Sequence, residues 1–243
     1  MTSSAARAAT DPTDGPATFI ETLTLGMWAA NCYIIGDRET QTAFVVDPGQ
    51  GGDGPVQQIL ADRGVTCEAI LLTHGHLDHL WAVPQLARDL DVGVRLHEED
   101  LWLWHSPAAA FGSSPEMLRS QFGLDWDPPT DRLQTFADGH RMTLAGMPIT
   151  AKHTPGHTPG SSVFLTDVGV DPVLVSGDLI FAGSVGRTDF PRGSSAVQDR
   201  SIERVVLPLP DQTVIISGHG PATTVGAERA SNPFVRQIIA GRR

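Results

Sequence analysis

A chain of 243 residues that is 40% hydrophobic, with 25 glycines and 18 prolines, carries enough apolar sequence for a packed core. It holds no run near the ~18–20 apolar residues of a membrane span. With 17 Lys plus Arg against 28 Asp plus Glu, its formal net charge of −11 has the wrong sign for a phosphate-tracking surface and argues against nucleic-acid partners.

The first 17 residues, MTSSAARAATDPTDGPA, are small and polar with no apolar centre. They predict a disordered tail and not a secretory signal, with residues 18–243 forming one domain. From Thr18 the chain reads as short strands: TFIETLTL, NCYIIGD and TAFVVDPG, separated by turns. VQQILADR (56–63) has helical spacing between Pro55 and Gly64. EAILLT (68–73) is a continuous apolar run of strand length, and DHLWAVPQLARDL (78–90) reads as a helix whose regular part begins near Pro84. VGVRLH predicts a further strand, and EEDLWLWH and PEMLRSQFG two helices. Residues 98–130, rich in tryptophan, proline and small residues, have the character of an inserted flap. After it the strands MPITAKHT, SSVFLTDV and DPVLVSGD are followed by the glycine-rich AGSVGRTDFPRGS, a helix in AVQDRSIERVVL, the strand TVIISGHG and a short helical end. Strands open each half and helices are interleaved, so the fold class is α/β, with two β-rich halves packed face to face and helices outside. Cys32 and Cys67 form no disulfide framework; in apolar strand contexts they read as reduced packing residues of a cytoplasmic protein.

The apolar run AILLT ends in HGHLDH, which places His74, His76, Asp78 and His79 within six positions. Chance gives this pattern in about one chain per thousand of this composition. Imidazole and carboxylate together suit zinc, iron and manganese. On an extended exit from the strand, His74 and His76 point to the same side and can grip one ion, while Asp78 and His79 at a helix start face a second. Three other segments share the syntax of strand, small-residue turn and ligand-type residue: VLVSGD with Asp178, TVIISGHG with His219, and ITAKHTPGHTPGS with His153 and His157. Loops at strand ends are where a rigid scaffold presents functional groups.

THGHLDH, PGHT, SGD and SGHG, in this order, resemble the metallo-β-lactamase fold superfamily over about residues 18–221. The resemblance implies an αββα sandwich of two mixed sheets with its metal site at one edge. It implies that His74, His76 and His157 hold one ion, that Asp78, His79 and His219 hold a second, and that Asp178 bridges them. The match at VVDPG makes Asp47 a carboxylate that orients a ligand histidine. His153, His97, His105 and His140 match no ligand position and read as structural or surface groups. Asp100 and Asp138 read as solvated carboxylates, and Trp102, Trp104 and Trp126 as packing within the flap.

Two adjacent cations would make a hydroxide of a bridging water near neutral pH, which predicts metal-dependent hydrolysis of an activated acyl bond with Asp78 orienting the nucleophile. GSVGRTDFPRGS, with Arg187 and Asp189 as substrate-binding candidates, resembles the glyoxalase II-like hydrolases, which cleave thioesters such as hydroxyacylglutathione. Two departures bear on the thiol. The 22 residues after Pro221 are too few for the carboxy-terminal helical domain that binds glutathione in full-length glyoxalase II. Leu80, Trp81 and Ala82 stand where relatives commonly carry glycines. True β-lactamases normally lack the aspartate matched by Asp178, so that activity is not expected. The alternative is an iron persulfide dioxygenase of the same fold, using His74, His157 and Asp178 alone. The partner expected is a small-molecule thioester, with no nucleic acid and no membrane; the cofactors are two divalent ions, zinc first, with iron and manganese also suited.

Overall fold

The computed structural model describes residues 17–241; the tail expected over residues 1–17 lies, apart from Ala17, outside them. The first sheet sets β1 (Thr18–Leu25), β2 (Ala30–Asp37), β3 (Thr42–Val46), β4 (Thr66–Leu71), β5 (Gly93–His97) and β6 (Leu133–Phe136) side by side in chain order. Pairs as far as β3 are antiparallel and those from β3 to β6 are parallel. Parallel neighbours need crossovers. They are supplied by α1 (Asp53–Arg63), then α2 (Leu77–Leu80) with α3 (Val83–Asp89), then the segment containing α4 (Leu101–His105) and α5 (Pro115–Phe122).

In the second half come β7 (Arg141–Leu144), β8 (Met147–His153), β9 (Ser162–Val168), β10 (Asp171–Gly177), the small hairpin of β11 (Ile180–Phe181) and β12 (Ser184–Val185), α6 (Ser195–Ser201), β13 (Val214–Ser217), β14 (Thr223–Thr224), α7 (Val225–Ser231) and α8 (Pro233–Ile239). The second sheet has the order β14-β13-β10-β9-β8-β7. This is the αββα sandwich of mixed sheets that the sequence implied.

The apolar strands are continuous because both of their faces are covered. Along β2, Cys32 and Ile34 face the core under the helices of the first half, while Tyr33 and Ile35 face the core between the sheets. β3 repeats this, with Ala43 and Val45 on one side and Phe44 and Val46 on the other. In β10, Val173 and Val175 enter the inter-sheet core and Leu174 packs beneath the later helices. Period-two alternation therefore generates three hydrophobic layers from strands that look uniformly apolar. Both cysteines are free thiols among these layers.

The helix read across residues 78–90 is two helices. It breaks at Trp81 and Ala82, and Pro84 occupies an opening position of α3, where its missing N–H costs nothing. Among the described residues no helix is long and apolar enough to cross a membrane.

The ends of β3, β4, β10 and β13 lie along one edge, where the two sheets are tied together. Asn31 Nδ2 donates to the carbonyls of Ser217 and Gly220 at 2.9 and 2.8 Å, and the Tyr33 hydroxyl donates to Ser217 O at 2.6 Å. Ser162 N donates to Thr73 O at 2.8 Å across the same edge.

Candidate metal centre

Each residue of the predicted ligand set leaves a strand end and enters this edge. The loop after β4 carries His74 and His76 and the short α2 that follows carries Asp78 and His79; the β8–β9 loop carries His157; Asp178 follows β10 and His219 follows β13. His74 Nε2 lies 3.1 Å from His76 Nδ1 and 3.2 Å from His157 Nε2. Asp78 Oδ2 lies 3.3 Å from His219 Nε2 and 3.5 Å from His79 Nε2. The structure thus gathers two groups that could hold a cation, His74–His76–His157 and Asp78–His79–His219, the donor atoms of each within 4.8 Å of one another. Asp178 stands between them. Its Oδ1 is 3.4 Å from His79 Nε2, and its Oδ2 is 3.5 Å from His157 Nε2 and 3.6 Å from His219 Nε2.

The histidines are aimed by what their other nitrogen touches. His157 Nδ1 is 2.6 Å from the Arg187 carbonyl, His219 Nδ1 is 3.2 Å from that of Ala29, and His79 Nδ1 is 3.0 Å from Asp47 Oδ2. With Nδ1–H donating in each, Nε2 presents its lone pair to the cleft. Asp47 does more than hold His79. It accepts from the backbone N–H and the hydroxyl of Thr73, and that hydroxyl sits 3.0 Å from His74 Nδ1, so one carboxylate orients a member of each triad. The residue is buried at φ +52°, a conformation unfavourable for a side chain with a Cβ, retained here where the site needs the carboxylate turned inward. A third cluster, Asp47–His74–His79, has donor atoms equally close, but these hydrogen bonds already account for Asp47.

Does this constellation suit divalent cations? His79 Nε2 and Asp178 Oδ1 are both buried with no hydrogen-bond partner among the described residues. Such orphaned atoms are costly unless a ligand meets them, and imidazole with carboxylate is a donor set for zinc, iron or manganese. The electrostatics agree. Burial and the neighbouring imidazoles hold the pKa values of His74 and His76 well below the usual histidine range, leaving them neutral as ligands must be. Burial would lower that of His79 as well, but Asp78, Asp178 and Asp47 push it up to about 10. Burial would raise the Asp78 carboxyl, yet His79 and His219 hold it well below the carboxylate range. Excess negative charge at Asp78, Asp178 and Asp47 is therefore concentrated around His79, where a proton and a cation compete for one lone pair. Gly218 is required at this point, because a Cβ there would collide with Asp178 Oδ1 and crowd the His79 ring.

Asp100 corrects the sequence reading. It is not solvated but fully buried beneath the two loops that carry the first triad. Its Oδ2 accepts from Gly75 N at 2.9 Å and the Thr158 hydroxyl at 2.7 Å, and its Oδ1 accepts from Gly160 N at 2.7 Å. It staples the residue between His74 and His76 to the residues just beyond His157. Gly75 is needed for close packing and not for a turn, since a Cβ there would meet Leu103.

The other assignments divide as follows. His97 is buried and stacks on His153 with centroids 3.9 Å apart, both away from the triads. Asp138 is exposed and accepts from His153 N. Trp104 is buried and packs on Trp126. Arg187 and Asp189 are an exposed bidentate ion pair, with Arg187 Nε and Nη2 2.6 and 2.7 Å from the two carboxylate oxygens. Over the triads opens a cavity of about 560 Å³, floored by His76, Asp78, His157, Asp178 and His219. The flap reaches it through Ala110 and Phe111.

An αββα sandwich with histidine and aspartate triads at one sheet edge is the architecture of the metallo-hydrolases. The profile of the metallo-beta-lactamase superfamily matches residues 25–219. Hydroxyacylglutathione hydrolase GloC of Haemophilus influenzae is 37% identical over 221 residues, 89% of this chain and 97% of that protein. Among solved structures, TTHA1623 in a di-iron-bound form matches with a TM-score of 0.71 at 33% identity, over 88% of this chain and 99% of that one. BLEG-1 B3 metallo-beta-lactamase matches with a TM-score of 0.73 at 31% identity, over 89% and 99%. The chain belongs to the metallo-beta-lactamase superfamily and is glyoxalase II-like within it.

Proposed function

We propose that this enzyme is a thioester hydrolase that works with two divalent cations. His74, His76 and His157 would hold one, Asp78, His79 and His219 the other, with Asp178 placed between the two triads. The observation that carries the reading is Asp178 standing between two separate triads, one carboxylate oxygen toward His79 and the other toward His157 and His219. When bound, such a pair of ions supplies a nucleophilic hydroxide near neutral pH and polarises the scissile carbonyl.

The chain's own part is positioning. Asp78 faces the cavity with its pKa held low, so it is ionised and placed to accept a hydrogen bond from the attacking water and orient it. The water oxygen becomes bonded to the acyl carbon, the carbon–sulfur bond breaks, and a water proton passes to the departing thiolate. Nothing is oxidised or reduced. Asp47, through His79 and through Thr73 to His74, keeps both halves of the site in register.

A persulfide dioxygenase using His74, His157 and Asp178 would leave Asp78, His79 and His219 converging to no purpose, with His79 Nε2 orphaned. The similarity to GloC supports thioesters over β-lactams, although the name of BLEG-1 places a β-lactam in the same assay panel. Purified, metal-loaded enzyme is given S-lactoylglutathione and simpler thioesters with thiol release monitored, while an oxygen electrode follows glutathione persulfide. The reading predicts thiol release and no oxygen uptake. Oxygen consumption without thiol release overturns it.

A further inference from the structure

The wall above the triads is aromatic. Trp28, Ala110, Phe111, Phe181, Val185 and Phe190 line the cavity, and the remaining groups other than the floor reduce to Arg187. Phe190 sits edge-on to His76 with centroids 5.0 Å apart, and Phe111 lies 6.3 Å from Phe190. Phe111 in turn stacks on Trp28 at 6.4 Å, and Phe181 meets His219 at 5.9 Å on the other side. Aromatic surface thus stands against both triads, Phe190 beside His76 and Phe181 beside His219.

This wall is built and supported from behind. Trp28 has Trp81 at 6.2 Å and Phe122 at 5.4 Å, and these two lie 5.7 Å apart. Trp81 is one of the three residues, with Leu80 and Ala82, that stand where the resemblance leads one to expect glycines. It does not line the cavity; it braces the tryptophan that does. Phe111 stays 41% exposed over the site although it touches Trp28 and Phe190. A large aromatic surface left open beside reactive groups is a binding surface for an apolar ligand.

The charge at the mouth points the same way. Arg187 is the guanidinium of the cavity lining, and its charge is already paired: Nε and Nη2 bind Asp189 along one edge, and the plane lies 4.2 Å over the Phe190 ring. It offers the two carboxylates of a glutathione moiety only Nη1 of a cation already offset by Asp189, and the chain's net charge of −11 disfavours them.

Resting on the thioesterase reading above, we infer that the substrate is a thioester whose acyl group is large and apolar, best an aromatic ring, carried on a thiol without anionic groups. The ring lies along Trp28 and Phe111, and the carbonyl sits over the triads. Burying a phenyl group against such a wall is worth about a tenfold gain in affinity.

The test separates binding from turnover. Non-hydrolysable thioethers are titrated calorimetrically into the metal-loaded enzyme: S-phenethyl-N-acetylcysteamine, its S-hydroxypropyl counterpart and S-hydroxypropylglutathione. The inference predicts that the phenethyl compound binds at least tenfold tighter than either, and that Phe111→Ala and Trp28→Leu each shrink that preference at least fivefold. A glutathione thioether that binds as tightly as the phenethyl compound, or tighter, overturns it. So does a preference unchanged in both variants. Hydrolysis of the matching phenylacetyl and lactoyl thioesters is measured in parallel. Tight phenethyl binding with no hydrolysis of any thioester refutes the thioesterase reading and leaves the wall assignment standing; hydrolysis that favours S-lactoylglutathione does the reverse.

Discussion

Removing the Asp100 carboxylate is the perturbation whose size the structure fixes best. In Asp100→Ala three donors lose their acceptor: Gly75 N, Gly160 N and the Thr158 hydroxyl. The hydroxyl has a second partner in Ser161 Oγ at 2.8 Å, so the two backbone N–H groups are the ones orphaned. Each orphaned buried donor costs about 1–3 kcal/mol. Burial raises the pKa of Asp100, opposed by those same three donors, so part of that loss is recovered when an expensive buried carboxylate is removed. The net expectation is a loss of about 2–4 kcal/mol. Asp100→Asn keeps an oxygen for Gly75 and Thr158 but turns an NH₂ toward Gly160 N, and is expected to cost about 1–2 kcal/mol. Because the staple joins the loops that carry His74, His76 and His157, cation affinity at that triad falls by about 10–100-fold in the alanine variant. Urea unfolding gives the first number and metal titration the second. An alanine variant that loses less than about 1 kcal/mol and keeps its metal affinity refutes the staple argument.

Asp78→Ala is expected to lower kcat/KM for a thioester by about 10²–10⁴-fold, measured by thiol release; full retained activity removes Asp78 and the second triad from the mechanism. Asp47→Ala frees the imidazoles of His79 and His74 together, so metal titration is expected to show affinity reduced about 10–100-fold at both triads and not at one. His97 supplies a pH test away from the triads. Burial, and then the stacked ring of His153, lower its pKa to about 4, with Asp138 opposing, while its Nδ1 accepts from Glu99 N. The unfolded chain binds that proton near the ordinary value of 6.5, so His97 leaves stability unchanged above pH 6.5 and erodes it as the pH falls from there toward 4. Urea unfolding at pH 7.5 and pH 5 should show His97→Gln losing about 1 kcal/mol less than the parent. Equal losses in both contradict the assignment.

What the sequence disclosed and what it hid follow from sequence separation. The histidine cluster was legible because its spacing is local: four chemistry-bearing residues leave one strand, and the strand's own alternation says which way they turn. The alternation along β2 and β3 likewise followed from pattern alone. Asp100 was misread because its partners lie 25, 58 and 60 residues away, and EED before an apolar stretch looks like any solvated helix start. Asn31 and Tyr33 were passed over for the same reason, their clamp on the Ser217 carbonyl spanning more than 180 residues. Pro84 did signal a break, but the two-residue gap at Trp81 and Ala82 depends on Ala82 N reaching the Pro48 carbonyl, a contact that no periodicity encodes. Trp28 carried no signal at all. In a glycine-flanked turn between two strands it reads as surface, and only the packing of Trp81 and Phe122 behind it turns it into a wall.

The central claim is that two triads share one carboxylate, and it is tested most directly by counting metal. The purified chain is saturated with zinc or with ferrous iron, desalted and assayed by elemental mass spectrometry against protein concentration. Two ions per chain, falling toward one in His219→Ala and toward one in His157→Ala, is the result the account predicts. One ion per chain at saturation, unchanged in His219→Ala and abolished in His157→Ala, would contradict it.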